Sequence, residues 1–137
     1  ATTAQLMGYN GATWDRLRTA SVFKTVSANL AGPTVVWTPA VLSFRLMKYK
    51  IDVTAEAILA LAGDLVLQFY DAGAAMPIAE TIFVPAVAAG GMGSWSSGWV
   101  DLDNGILSAA ALNALNINLS VALAGGFARV TVAGTEE

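Results

Sequence analysis

Along much of this chain apolar and polar residues alternate. In F-R-L-M-K-Y-K-I-D-V, residues 44–53, Met47, Tyr49, Ile51 and Val53 fall on one side and Lys48, Lys50 and Asp52 on the other. A period of two predicts a half-buried strand. The same pattern predicts strands over residues 34–38 (ended by Pro39), 64–70 (D-L-V-L-Q-F-Y), 78–84, 98–102, 117–123 and 127–132. Turn signals separate them: Asp71-Ala72-Gly73, Gly90-Gly91, Asn104-Gly105 and Gly125-Gly126. Near the start, residues 5–9 and 13–17 flank Asn10-Gly11, a strong short-range hairpin signal that predicts a tight turn. Eight or so short strands predict an all-β single domain, a β-sandwich or jelly roll, with an N-terminal hairpin or arm. The expected division is 1–41 for the arm and hairpin region and 42–137 for the sandwich.

Two stretches depart from that pattern. Residues 55–62 (A-E-A-I-L-A-L-A) and 108–115 (S-A-A-A-L-N-A-L) have helix-forming composition, and Ser108 is a candidate cap. Each is expected to hold at most one helical turn, the alternative being a loop or an irregular strand edge.

Composition shifts the question from chemistry to surfaces. The 137 residues are 55% hydrophobic and 12% charged, against about a quarter charged in an average soluble protein. A surface so poor in charge points to covering by other subunits. With no His and no Cys, the chain cannot build a Ser-His-Asp or Cys-His nucleophile, a zinc finger, an iron–sulfur site or a disulfide framework. No cofactor and no metal site are expected. Asp101-Leu102-Asp103-Asn104-Gly105 resembles the start of a calcium loop, but its glycine comes one place early and Leu112 stands where the bidentate Glu belongs. A strand running into an Asn-Gly turn is the expected reading. Gly90-Gly91-Met92-Gly93-Ser94 lacks the Lys of a phosphate loop and reads as a connector, and Asn118-Leu119-Ser120 fits a glycosylation sequon that means little without a secretory signal. No uncharged run gives about twenty continuous apolar residues, and no basic-then-apolar leader opens the chain. No membrane association is expected, and synthesis in a cytoplasm is.

Charge is uneven along the chain. Residues 1–50 hold six basic groups against one acid, a net of +5; residues 51–137 hold Arg129 against nine acids, a net of −8, and the two give the overall −3. Such halves can complement each other between neighbouring copies or let the front half dock on an acidic partner, the equal alternative being ordinary solvated charge. Nucleic acid is not expected as that partner, because the pI is about 4.7 and the cations are spread through alternating sequence.

The residues picked out as candidate interface groups are Tyr9, Asn10, Trp14, Arg16, Arg18, Lys24, Trp95 and Trp99. The first five combine a hairpin with an aromatic and two guanidinium groups near the N-terminus. Trp95 and Trp99 bracket W-S-S-G-W, read as a loop, and buried Trp is a favoured interface anchor. For Trp14 and Trp95, core and interface stand as equal alternatives.

The segments Y-N-G-A-T-W-D-R-L-R (9–18), V-V-W-T-P-A (35–40) and L-N-I-N-L-S-V-A-L-A-G-G-F-A-R-V-T-V-A-G-T-E-E (115–137) resemble small structural proteins of tailed bacteriophages, most closely capsid decoration, or cement, proteins. The resemblance covers nearly the whole chain. It implies a non-enzymatic β-sandwich subunit on the capsid exterior of the virion, docked on the major capsid protein and on neighbouring copies, with a homotrimer favoured. One alternative is a tail or baseplate protein that binds a host glycan through Trp95 and Trp99. A carboxylate-only glycosidase, using a pair from Asp64, Asp71, Asp101 and Asp103, is disfavoured because short connections leave little material for a cleft.

Overall fold

In the computed structural model, which describes residues 7–9, 14–16, 21–56, 65–82, 92–123 and 125–137, the strands are β1 (Met7–Tyr9), β2 (Trp14–Arg16), β3 (Val22–Ala28), β4 (Gly32–Trp37), β5 (Phe44–Glu56), β6 (Leu65–Asp71), β7 (Ala74–Ile82), β8 (Met92–Leu107), β9 (Leu115–Leu119) and β10 (Phe127–Glu136). From β3 onward they pair as one nested antiparallel hairpin: β3 with β10, β4 with β9, β5 with β8 and β6 with β7. Two further ladders, β10 with β5 and β9 with β6, roll that hairpin up. The result is two four-stranded sheets, ordered β3-β10-β5-β8 and β4-β9-β6-β7. This is a jelly roll, one of the two architectures that the turn-punctuated alternation predicts. β1 and β2 stand apart as a two-stranded sheet of their own.

The core lies between the sheets and is filled by Trp37, Phe44, Leu46, Ile51, Phe69 and Ile117 among others, all nearly or fully buried. Each such side chain contributes about 1.5–3 kcal/mol by leaving water. Aromatic pairs bind the layers: Trp37 and Phe44 have ring centroids 5.8 Å apart, and Tyr49 of β5 lies 5.0 Å from Phe69 of β6, in the opposite sheet.

Alternation places β5 correctly, with Tyr49, Ile51 and Val53 inward as expected, and fails only at Met47. Phe44 and Leu46 face inward together with Tyr49, Ile51, Val53 and Ala55. An even-numbered pair and an odd-numbered series can share one face only if a residue is extra. That residue is Met47: the register with β10 passes from Lys48↔Ala133 to Leu46↔Gly134, and the register with β8 shifts between the same two β5 residues. A bulge therefore removes Met47 from the inward series expected for it.

Several boundaries move for identifiable reasons. β3 escapes the alternation because Val22 and Phe23 are adjacent apolar residues, and Lys24 takes a core-side position opposite Val132 at the sheet's edge. β3 and β4 are hydrogen-bonded into the two sheets, so residues 22–37 form sandwich ladders although they lie within the segment 1–41. β8 does not end at Asn104-Gly105 but continues to Leu107, with residues 102–105 looping out opposite Met47. No helical turn forms over 108–115: residues 109–112 make bends and a turn, and Leu115 opens β9. The buried Ser108 hydroxyl bonds Asp71 instead of capping a helix. Ala55 and Glu56 close β5, and residues 57–62 lie outside the described residues.

The bulge demands a glycine across from it. A Cβ on Gly134 would sit 2.0 Å from the Arg45 carbonyl oxygen and 3.0 Å from the Trp37 ring, so Gly134→Ala is expected to lower stability by about 1–3 kcal/mol in chemical denaturation. A part-buried polar link also joins the sheets. The Tyr49 hydroxyl donates to Glu80 Oε1 at 2.5 Å, and burial, followed by that hydrogen bond and the carboxylate charge, pushes the phenol above its ordinary value of 10.0. Tyr49 thus stays protonated in the folded chain at pH values where the unfolded chain ionises it, and stability falls as pH rises above about 10. Tyr49→Phe should flatten that alkaline loss in denaturation curves measured across the range.

Candidate functional site

Two tryptophans four residues apart on a regular strand share a face, yet Trp95 and Trp99 do not. Trp95 pairs with the buried Val53 and packs against the core, whereas Trp99 pairs with the outward Lys50 and is 50% exposed. The register with β5 passes from Lys50↔Trp99 to Asp52↔Ser96, leaving Ser97 and Gly98 together opposite Ile51. Gly98 takes the left-handed backbone, φ 63°, as a glycine in a bulge can at little cost. The Ser97 hydroxyl accepts the Ile51 N–H at 2.8 Å, replacing the ladder bond that the bulge removes. W-S-S-G-W is therefore a bulged strand and not the loop its Gly and Ser content predicts.

The bulge turns Trp99 onto the outer face of the β3-β10-β5-β8 sheet, where three side chains converge. Lys48 Nζ lies 4.8 Å from the Trp99 ring centroid and 5.8 Å from that of Phe23, which is 60% exposed. Cation–π attraction holds the amine between two large apolar rings that face solvent. On the same face Lys50 pairs with Asp52 at 3.5 Å, Ser96 Oγ donates to Asp52 Oδ1 at 2.6 Å, and Arg129 lies 5.3 Å over Phe127. Phe23 and Lys48 were not among the sequence candidates. Lys48 was legible as an outward cation, but its meeting with Phe23 depends on the β3-β10-β5 register, which no local signal carries.

The other sequence candidates are dispersed. Tyr9 pairs with Trp14 and Met7 with Arg16 in the separate hairpin. The turn expected at Asn10-Gly11 lies outside the described residues. Asn10 and Arg18 lie outside the described residues. Lys24 is exposed on β3, on the core side of the strand and so not on the face that carries Trp99. Trp37, the remaining tryptophan, is core.

The acids considered for carboxylate chemistry have other roles where they are described. Asp71 organises the loop from Ser108 to Asn113: its Oδ1 accepts from Ser108 Oγ at 2.8 Å and Asn113 Nδ2 at 2.9 Å, and its Oδ2 from the Ala109 N–H at 2.7 Å. Asp101 Oδ1 accepts the Asp103 N–H at 2.9 Å, an Asx turn within the β8 excursion. Asp64 lies outside the described residues. Among the described residues no group of three or more acids is placed to hold a metal ion.

The described cations of the sandwich are confined to one sheet, while acids lie on both. Every described cation of the sandwich, Lys24, Arg45, Lys48, Lys50 and Arg129, belongs to the β3-β10-β5-β8 sheet. The outward positions of β4, β9, β6 and β7, such as Val35, Asn116, Gln68 and Ala79, carry no formal charge.

No protein-family model matches the chain, and no curated protein matches it. Among solved structures it is similar to a chain of the cyanophage Pam1 capsid asymmetric unit, with a TM-score of 0.48 and 17% identity over 95% of this chain and 94% of that one. It is similar to the PRD1 vertex protein P5 at a TM-score of 0.39 and 14% identity, over 88% and 99% of the two chains. A protein of the Bacillus endospore appendages, a family of disulfide-linked pili, follows at 0.35 and 14%, over 87% and 88%. Likeness at this level assigns neither family nor function.

The bulge under Trp99 depends on one hydroxyl. Ser97→Ala would leave the N–H of Ile51, a fully buried residue, without its partner. A loss of about 1–3 kcal/mol is expected in chemical denaturation, together with a changed Trp fluorescence spectrum as Trp99 loses its fixed position.

Proposed function

We propose that this chain is a virion structural protein that decorates and stabilises a bacteriophage capsid, docking on the major capsid protein and on neighbouring copies. The observation that carries the reading is the N-terminal hairpin, a two-stranded sheet that among the described residues has no ladder to the sandwich. An isolated two-stranded hairpin is marginal in water and gains its stability from what it packs against. This one carries the Y-N-G-A-T-W-D-R-L-R segment of the phage resemblance, with Tyr9, Trp14, Arg16 and Arg18 as its anchoring groups.

Because β3 and β4 belong to the sandwich ladders, the docking arm on this reading is the chain before Val22, shorter than 1–41. Lys24, Trp99 and Trp95 then divide between a basic edge, an exposed aromatic face and the core margin; of the three, Trp99 offers a partner the most apolar surface. A subunit that binds only the assembled shell stabilises it by mass action, as any ligand stabilises the state it prefers. A homotrimer on the capsid exterior is the assembly that the resemblance favours. The glycan-binding alternative loses its paired platform, since Trp95 and Trp99 face opposite sides of β8.

Deletion of residues 1–18 tests the reading. The shortened protein should keep the circular dichroism and cooperative melting of a folded β domain while losing binding to purified capsids in co-sedimentation. Binding retained at full strength would refute the arm as the docking element.

A further inference from the structure

The excursion of β8 over residues 102–105 contains Asn104-Gly105, and its surroundings fix that dipeptide in one arrangement. Asp103 and Gly105, on either side of Asn104, both take the left-handed backbone, with φ 55° and 74°. The Asp103 N–H is bound by Asp101 Oδ1 at 2.9 Å. The Arg45 guanidinium donates from Nη1 to the backbone carbonyl oxygen of Asn104 at 3.0 Å. A Cβ on Gly105 would lie 2.6 Å from Met47 Sδ and 2.7 Å from the Leu46 carbonyl oxygen, so the glycine cannot be replaced without displacing the β5 bulge. Asn104 itself is exposed, and the register passes from Lys48↔Asp101 to Leu46↔Ile106 without giving Gly105 a partner on β5.

We infer that Asn104 is a self-modification site, where the chain converts its own side-chain amide to a carboxylate, and that Arg45 promotes the step. The nucleophile is the backbone nitrogen of Gly105. It loses its proton to water or hydroxide, and its electron pair attacks Asn104 Cγ, forming an N–Cγ bond. The Cγ–Nδ2 bond then breaks, and ammonia leaves with a proton taken from solvent. Water opens the resulting cyclic imide: breaking the new N–Cγ bond gives aspartate, and breaking the original peptide C–N bond gives isoaspartate. One water is consumed and one ammonia released, with no oxidant, reductant or cofactor.

The contribution of Arg45 lies in the loss of the amide proton. The amidate shares its negative charge with the carbonyl oxygen of the same peptide group, and that oxygen is the one to which Arg45 donates. A fixed cationic donor aimed at an oxygen that gains charge lowers the barrier to forming that charge. Gly105 has no Cβ to hinder the approach of its nitrogen. The products also bear on the fold. Aspartate at position 104 adds a carboxylate beside Asp101 and Asp103, and isoaspartate lengthens the backbone of the excursion. This chemistry belongs to the isolated chain and does not rest on the capsid reading.

The test is peptide mapping by mass spectrometry of the full chain incubated at neutral pH in heavy-oxygen water, with isoaspartate read by enzymatic methylation. The folded wild type should take up heavy oxygen at residue 104 and yield both isomers there. Arg45→Met should slow conversion by about threefold to tenfold, less than the loss of a donor costs in a buried oxyanion site, because Arg45 is partly exposed. Arg45→Lys, which keeps a cation beside Glu137, should fold as the wild type does and slow conversion less. Glu137→Gln, which removes the ion-pair partner of Arg45 and leaves the donor in place, should not slow it. In denaturant, where Arg45 no longer meets Asn104, wild type and Arg45→Met should convert at equal rates. Folded wild type in which Asn10-Gly11 converts and Asn104 does not overturns the site. Equal rates for folded wild type and folded Arg45→Met overturn the role of Arg45, as does a slowing that persists in denaturant.

Discussion

A strand has two faces and a period of two, so one extra residue exchanges them, and this jelly roll depends on two such residues along the β5–β8 ladder. At Met47 the exchange lets Phe44 and Leu46 join Tyr49, Ile51 and Val53 in the core, which closes the end of the sandwich where Trp37 is packed. The same offset brings Gly134 against the Arg45 carbonyl so closely that a side chain has no room. At Ser97-Gly98 the exchange sorts two tryptophans: the strand keeps Trp95 on the core and turns Trp99 to solvent beside Lys48. Both bulges are compensated locally, by a positive-φ glycine and a serine hydroxyl in one case and by glycine's missing Cβ in the other. Neither disturbs the pairing on either side of it.

What the sequence reveals follows from the range of the interactions involved. Half-buried strands such as β5, β6 and β10 announce themselves, because burial of one face is written into every second residue. Turns at Ala72-Gly73 and Gly125-Gly126 are equally local. Register is not local, and the bulges are register events; hence W-S-S-G-W reads as a loop from composition and as a strand only once β5 lies beside it. Edge strands are the hardest to see. β3 has a partner on one side alone, so Lys24 occupies a core-side position near water and the alternation fails. The same applies to residues 108–115, whose helical composition is overridden by Asp71, a carboxylate distant in sequence that gathers Ser108, Ala109 and Asn113 around itself.

The candidate interface residues were legible as types and not as a constellation. Tyr9, Trp14 and Arg16 do fall in a hairpin, because Asn-Gly between short β-prone runs is a local signal. The cluster of Phe23, Lys48 and Trp99 required three strands to be placed in order before it existed. Charge behaves similarly. All five described cations of the sandwich fall on the β3-β10-β5-β8 sheet, because β3 and β5 pair with β10, but Asp52, Glu56, Asp101, Asp103 and Glu136 fall on it too, so the basic front and acidic back of the chain do not become a split between sheets.

The groups that hold the sandwich together are distinct from the exposed groups that the proposed docking would use. Among the described residues the large side chains of the core come from β4, β5, β6, β7, β9 and β10, and the Tyr49–Glu80 link and the Asp71 loop clamp tie elements within the sandwich. The exposed rings of Phe23 and Trp99 stand outside that core. Among the described residues every sheet edge carries a device against further strand pairing: Pro33 on β4, Pro77 on β7, the Ser97-Gly98 bulge on β8, and on β3 the core-side Lys24, whose charge an added strand would have to bury.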